Sequence, residues 1–240
     1  MTAVLLAAGI SSRLRPLTDT IPKSMLPIAG KPLLHRTLGI LQASGINRCV
    51  VVTGYLHEMM EEFIRSLGLQ LPIDFVHNPH FSTTNNNYSL WLAHDALNAD
   101  PMLLLDADIL FDPRVLLRLL EDPHANALVM RRSGALGDEE IKLELDAQGR
   151  VLRIGKEVES RKATGESLGI ERFDASTTQQ LFDVLARRRD RSEFYEASFQ
   201  EIIDRGASIY AVDSGPYACI EIDTMEDLAA AEKIAATTLQ

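Results

Sequence analysis

Thr2-Ala-Val-Leu-Leu-Ala7, followed by Ala8-Gly9, is apolar along almost its whole length, which predicts a strand buried on both faces of a parallel sheet. The pattern repeats. An amphipathic helix over Leu33–Ala43, a β-branched strand over Arg48–Thr53, a helix over His57–Leu67 and a strand over Ile73–Val76 form alternating βαβ units. Tyr88–Leu97 reads as a helix, Pro101–Leu105 as a strand running into Asp106-Ala-Asp108, and Pro113–Leu120 as a helix opened by proline. Ligands of such sheets bind beyond the carboxyl ends of the strands, so the loops after Ala7, Thr53 and Leu105 are expected to converge on one crevice.

From Ala125 the texture changes. Ala125–Met130, Ile141–Leu145 and Val151–Ile154 alternate, and Asp146-Ala-Gln-Gly149 carries hairpin turn chemistry. Antiparallel additions are therefore expected to follow the parallel core. Thr177–Arg188 and Ser198–Arg205 read as helices, Ser208–Val212 and Ala218–Ile222 as strands, and Thr224–Ala236 as a closing helix capped by Thr224. The fold class is α/β: a Rossmann-like, doubly wound mixed sheet with helices on both faces and a small antiparallel β addition. With no repeat and no long linker, residues 1–240 are expected to form one domain, its halves meeting near residue 124.

Of 240 residues, 46% are hydrophobic and 24% charged, a balance that excludes disorder and supports a core without disulfides or structural metal. Lysine and arginine number 24 against 34 acidic residues, a formal charge of −10 that argues against nucleic acid as a partner. A small anionic ligand stays open, because a local cluster of bases or a metal ion can invert the field in one cleft. No apolar run approaches the roughly 20 residues needed to span a bilayer, and Met1–Gly9 lacks the charged flank of a signal peptide. The expectation is a cytoplasmic protein with no membrane association, and Cys49 and Cys219 are expected to be reduced core thiols. Whether it is a homodimer is left open.

The first segment able to carry chemistry is Leu5-Leu-Ala-Ala-Gly-Ile-Ser-Ser-Arg13-Leu-Arg-Pro-Leu-Thr-Asp-Thr-Ile-Pro-Lys23-Ser-Met-Leu-Pro27. Small residues after a buried strand let backbone N–H groups approach phosphate oxygens, and Arg13 and Lys23 supply charge. Pro16, Pro22 and Pro27 keep the stretch a loop. A surface loop with solvated bases fits the same residue types. Neither G-x-G-x-x-G after the first strand nor G-x-x-x-x-G-K-[ST] occurs, so dinucleotide and P-loop sites lack support. Nor is there a G-x-S-x-G nucleophile elbow. His77-Asn-Pro-His80 carries a proline that removes the helical face of a zinc pair, and Arg187–Arg191 reads as a solvated helix end.

Three further segments stand out. Asn85-Asn-Asn-Tyr-Ser89 sits at a helix start, where asparagine caps the helix or offers amides to a ligand. Asp106-Ala-Asp108 and Glu221-Ile-Asp223 place hard carboxylates at two strand ends, which suits Mg²⁺ or simple solvent exposure. Lys156 and Glu166 lie in segments that could hold a phosphate and an ammonium group, or form a solvated face.

The ordered string from Leu5 to Pro32 resembles the amino-terminal signature of the nucleotidyltransferase, or NTP-transferase, family. That family usually has a second glycine where Ser11 stands, so the tightest part of the loop is expected to differ slightly. The Asn-Asn-x-Tyr-Ser pattern resembles the branch that includes choline-phosphate, inositol-phosphate and 2-aminoethylphosphonate cytidylyltransferases. The resemblance implies a nucleotide-binding half over residues 1–124 and an acceptor-binding, closing half over 125–240. It implies that CTP binds with Mg²⁺ and that a small anionic acceptor attacks its α-phosphorus, releasing pyrophosphate. By the same resemblance, Arg13 holds the triphosphate, Lys23 stabilises the α-phosphate, and Asp108 and Asp223 place the metal. Leu6, Ala7, Ala8, Gly9, Asn85, Asn86, Ser89 and Asp106 recognise the nucleotide, and Lys156, Glu166 and Glu196 face the acceptor. A sugar-1-phosphate nucleotidyltransferase would share the loop and acids, and a nucleotide sensor would share the pocket.

Overall fold

The computed structural model describes residues 1–97, 100–133 and 136–238. Strand β1 (Thr2–Ala7) is buried along its whole length. After a loop of short 3₁₀ turns, β2 (Pro27–Ile28) and β3 (Lys31–Pro32) form a small hairpin that leads into α1 (Leu33–Ala43). Then come β4 (Arg48–Thr53), α2 (His57–Ser66), β5 (Ile73–His77), α3 (Asn86–Leu92) and the one-turn α4 (His94–Leu97). β6 (Met102–Asp106), β7 (Ile109–Phe111) and α5 (Pro113–Glu121) complete the first half. The second half runs β8 (Ala127–Arg132), β9 (Lys142–Leu145), β10 (Val151–Gly155), β11 (Gly165–Phe173), α6 (Ala175–Leu185) and α7 (Glu196–Asp204). It ends with β12 (Tyr210–Asp213), β13 (Cys219–Glu221) and α8 (Met225–Thr238).

The main sheet has the order β10-β9-β11-β6-β1-β4-β5, with β8 joined to β11 and β12. β6, β1, β4 and β5 are parallel, as continuous apolar strands with crossover helices require. β11 then enters antiparallel to β6, and β9 and β10 pair as an antiparallel hairpin across Asp146–Gly149. β12 runs parallel to β8, where an antiparallel addition was expected. One face of the sheet buries Leu5, Val51, Leu103 and Leu105 against α1, α2 and α5; the other buries Val4, Val52 and Leu104 against α3, α6 and α7. Helices on both faces therefore hold the strand ends in register.

One local expectation is corrected: Tyr88–Leu97 is two helices rather than one, because α3 closes at Ala93. Gly165–Phe173, to which the sequence pattern assigned no element, is a strand at the centre of the sheet. Cys49 and Cys219 are free and buried, and burial pushes both thiols up to about 12, which leaves them inert. Among the described residues no helix is long and apolar enough to cross a membrane.

Candidate functional site

The carboxyl ends of β1, β4 and β6 converge as the parallel sheet demands. Ala107 N donates to Leu6 O at 3.1 Å, and Tyr55 N donates to Ala8 O at 3.1 Å. Gly54 makes this approach possible, since a Cβ there would lie 2.5 Å from Ala8 O. Leu6, Ala7 and Ala8 are buried, and Gly9 opens to solvent. Ser11 takes the left-handed conformation (φ 55°) that a glycine favours, and Thr18 Oγ1 donates to its carbonyl at 2.9 Å. The following segment folds as 3₁₀ turns over Ser12–Leu14, Leu17–Asp19 and Lys23–Met25, the last of which carries Lys23 inward.

Lys23 Nζ lies 2.6 Å from Asp108 Oδ2 and 2.7 Å from Asp223 Oδ1, and Arg13 Nη2 reaches Asp223 Oδ2 at 2.5 Å. Short pairing of β13 with β7 brings these distant segments together, with Ile222 N donating to Asp108 O at 3.0 Å. Burial alone would lower the Lys23 pKa, but Asp108 and Asp223 outweigh it and hold the ammonium charged well above its ordinary range. Burial would likewise raise Asp223, yet Lys23 and then Arg13 bring it below the usual carboxylate range. Glu221 completes the group: oxygens of Asp108, Glu221 and Asp223 lie within 4.8 Å of one another. Glu221 keeps solvent contact, but desolvation by the surrounding protein and the charges of Asp108 and Asp223 push its carboxyl up to about 8. Asp108 Oδ1 is buried with no hydrogen-bond partner. Three hard oxygen donors, one of them unsatisfied, fit a divalent cation of the Mg²⁺ type.

The acids and bases expected toward the acceptor are spread across the second half. Glu166 is engaged by Arg131 at 2.6 Å, so its charge is already matched. Lys156 Nζ meets Glu139 at 3.0 Å and stands 4.9 Å from the centre of the Phe194 ring. Glu196 opens α7 and is buried close to Asp106 and Glu171. Asp106, expected with the nucleotide-binding backbone, accepts the Tyr195 hydroxyl at 2.8 Å and so keeps company with these acids.

Burial pushes the Glu196 carboxyl from its usual 4.5 to about 7, and Lys156 only partly offsets this. Between those values the folded state holds a proton that the unfolded state has released, so folding loses stability as pH rises through that window. Glu196→Gln is expected to stabilise the fold by up to about 3 kcal/mol at pH 8 and by little at pH 4.5. Melting temperatures of both proteins at the two pH values test this, and equal shifts would refute it.

The asparagine run does structural work. Asn85 Oδ1 caps α3 by accepting Asn86 N at 2.8 Å, Asn86 Oδ1 accepts Tyr195 N at 2.9 Å, and Asn87 Oδ1 accepts Ser198 Oγ at 3.0 Å. Ser89 Oγ accepts from Asn78 Nδ2 at 3.0 Å. The run thus ties the start of α7 to α3. Asn87→Ala should cost about 1–3 kcal/mol by orphaning the buried Ser198 hydroxyl. Hydrogen exchange should show the loosening confined to residues 187–204.

A family model described as the MobA-like NTP transferase domain matches residues 3–205. The chain belongs to this family. Among relatives, this NTP transferase is 42% identical over 130 residues to the CMP-5'-(3-aminopropyl)phosphonate synthase of Streptomyces rubellomurinus, covering 54% of this chain and 20% of that protein. It is 34% identical over 154 residues to the choline-phosphate cytidylyltransferase of Haemophilus influenzae, covering 64% of this chain and 62% of that protein. In each case the match spans less than two thirds of the relative's length. The inositol-1-phosphate CTP transferase from T. maritima superimposes with a TM-score of 0.80 at 22% identity, over 98% of this chain and 96% of that one. That likeness establishes a shared fold.

In this NTP transferase the sequence reading set Glu221 among the strand-end carboxylates but gave the metal role to Asp108 and Asp223, and it gave no role to Glu171 or Tyr195. Glu221 had a signal, since strand alternation sets it on the same side as Asp223. Glu171 had none, because an acid amid apolar and basic neighbours reads as surface.

Proposed function

We propose that this chain is a Mg²⁺-dependent cytidylyltransferase that joins CTP to a small phosphonate- or phosphate-bearing acceptor such as 2-aminoethylphosphonate, phosphoethanolamine or phosphocholine. The products are a CDP-linked or CMP-phosphonate compound and pyrophosphate, and with CTP as substrate the reaction belongs to the cytoplasm. The observation that carries the reading is Lys23 held between Asp108 and Asp223 beside Arg13, a set of charges suited to two anionic reactants. The relatives named for cytidylyl and CMP transfer support the choice of nucleotide.

In this reading the Leu6–Gly9 backbone, with Asn85, Asn86 and Ser89, takes the nucleotide. Arg13 holds the triphosphate. Lys23 moves from its carboxylate partners onto the α-phosphate as an acceptor oxygen forms its bond to phosphorus and the bond to the departing pyrophosphate breaks. No covalent enzyme intermediate is needed; in-line positioning and charge neutralisation lower the barrier. Asp108, Asp223 and Glu221 would hold the divalent ion, which when bound neutralises charge on the phosphoryl oxygens. Lys156 binds the acceptor's anionic group after parting from Glu139.

Pyrophosphate release with Mg²⁺ and CTP, measured over these three acceptors, inositol phosphate and sugar-1-phosphates, tests the proposal. A fast acceptor with CTP and poor turnover with UTP, dTTP or GTP is the expected result. Preference for another nucleotide with a sugar-1-phosphate would replace the reading with a sugar nucleotidyltransferase, and CTP binding without pyrophosphate release would make the chain a sensor.

A further inference from the structure

The run Arg187-Arg-Arg-Asp-Arg191, which follows α6, carries four guanidiniums and one carboxylate on a chain whose formal charge is −10. The macrodipole of α6 favours bases at its end, but it does not account for what faces them. Between this run and the first turns of α3 lies a cleft of about 60 Å³, and none of Arg13, Lys23, Asp108 or Asp223 lines it. Tyr88 and Trp91 line it from α3, with ring centroids 5.5 Å apart and planes 24° from parallel. Neither ring is fully buried. Arg188 and Arg191 line it from the run, and the Arg191 guanidinium stands 4.4 Å from the centre of the Tyr88 ring. Asn85 N donates to Arg191 O at 2.8 Å, which fixes the run against α3.

The bases differ in how they are occupied. Arg188 gives Nη1 to Glu193 at 3.2 Å, and Nη2 to Ala197 O at 2.7 Å and Glu201 at 2.9 Å. Its Nε, however, is buried with no hydrogen-bond partner. Among the described residues Arg187, Arg189 and Arg191 meet no carboxylate within 4.0 Å. Asp190 also lines the cleft, but its Oδ1 is engaged by Ser192, whose N and Oγ donate to it at 2.8 and 2.6 Å. A buried N–H left unmet costs stability, and here it belongs to a residue that borders open aromatic surface and an unpaired guanidinium.

We propose that this cleft is a second binding site, separate from the reaction centre, for a small aromatic carboxylate. A carboxylate is planar and only accepts hydrogen bonds, so it matches the Arg188 Nε–H and the Arg191 guanidinium. A space of this size admits a carboxylate group and little more. An attached ring would then lie against Tyr88 and Trp91 in offset stacking. A cation of the same shape would meet two arginines, and an aliphatic acid would forgo the stacking.

Trp91 is the only tryptophan of the chain, so its fluorescence reports on the cleft directly. Benzoate, benzamide and cyclohexanecarboxylate, each titrated into the full chain, separate the contribution of charge from that of the ring. The expected result is a saturable change in emission with benzoate, at an affinity at least about tenfold above benzamide and about threefold above cyclohexanecarboxylate. These are the ratios that one charge-assisted hydrogen bond and one stacked ring pair provide. Arg191 is exposed, and Arg191→Gln, checked for folding by circular dichroism, should weaken benzoate binding by about fivefold or more. Calorimetry at saturating CTP and Mg²⁺ should return an unchanged benzoate affinity. Equal binding of benzoate and either other probe, a change in emission that does not saturate, full benzoate affinity in Arg191→Gln, or displacement of benzoate by CTP would each overturn the proposal.

Discussion

Replacing Lys23 with methionine is expected to lower cytidylyl transfer by roughly 10²–10³-fold, the cost typical of losing one donor aimed at developing charge. The size of the effect follows from position. Lys23 is buried and held charged by two carboxylates, so no water-borne cation substitutes readily for it. Its second expected effect separates a catalytic from a purely structural role. Without the ammonium, Asp108 and Asp223 are left facing each other, and in EDTA the variant should lose about 3–5 kcal/mol of stability, as broken buried pairs do. Excess Mg²⁺ should return most of that stability, because a divalent ion satisfies the same oxygens, and yet leave turnover low. Thermal melts with and without Mg²⁺, alongside single-turnover pyrophosphate release, check both halves. A variant that recovered full turnover with Mg²⁺ would show Lys23 to be only a counter-ion.

Asp108→Ala carries the other large effect, a fall in Mg²⁺-dependent turnover of about 10³-fold, which corresponds to the several kcal/mol supplied by a bound metal. Asp108 matters more than its neighbours because one of its oxygens pairs with Lys23 and the other is buried without a partner. Its removal also frees Lys23 from one restraint, so the variant should bind CTP in the absence of metal at least as well as the parent. Steady-state rates across a Mg²⁺ titration, with CTP binding measured in EDTA, test the assignment. Unchanged turnover at saturating Mg²⁺ would remove Asp108 from the metal site.

The parallel core was legible because strands buried on both faces leave unbroken apolar runs, as in Thr2–Ala7 and Arg48–Thr53. The helix from Pro113 was legible from the proline at its first turn and the closing helix from its Thr224 cap, where Thr224 and Asp227 bond reciprocally; the Asp112 cap, whose Oδ1 accepts Arg114 N, was not read. Arg13, Lys23, Asp108 and Asp223, chosen from widely separated segments, are brought together by the fold. β11 was hidden because its sequence violates the pattern of a central strand. Gly165, Glu166, Gly169, Glu171 and Arg172 interrupt the apolar run that such a strand shows, and what reconciles them with burial is tertiary: Arg172 donates to the carbonyls of Leu120, Asp122 and His124. Partners that come from other elements leave no mark on local periodicity. For the same reason the engagement of Glu166 by Arg131 could not be read from its own neighbours.

The place of β11 also bears on how the protein is made. β6 emerges from the ribosome with β1 and β4 already available on one side, but its other neighbour, β11, follows only after β8, β9 and β10 have been synthesised. At about 5–20 residues per second that interval lasts several seconds. Throughout it the nascent chain presents Met102–Leu105 as an open, apolar strand edge of the kind that captures other chains. The sheet therefore cannot finish from its amino-terminal half, and the interval of synthesis leaves open a strand edge that β11 covers in the completed molecule.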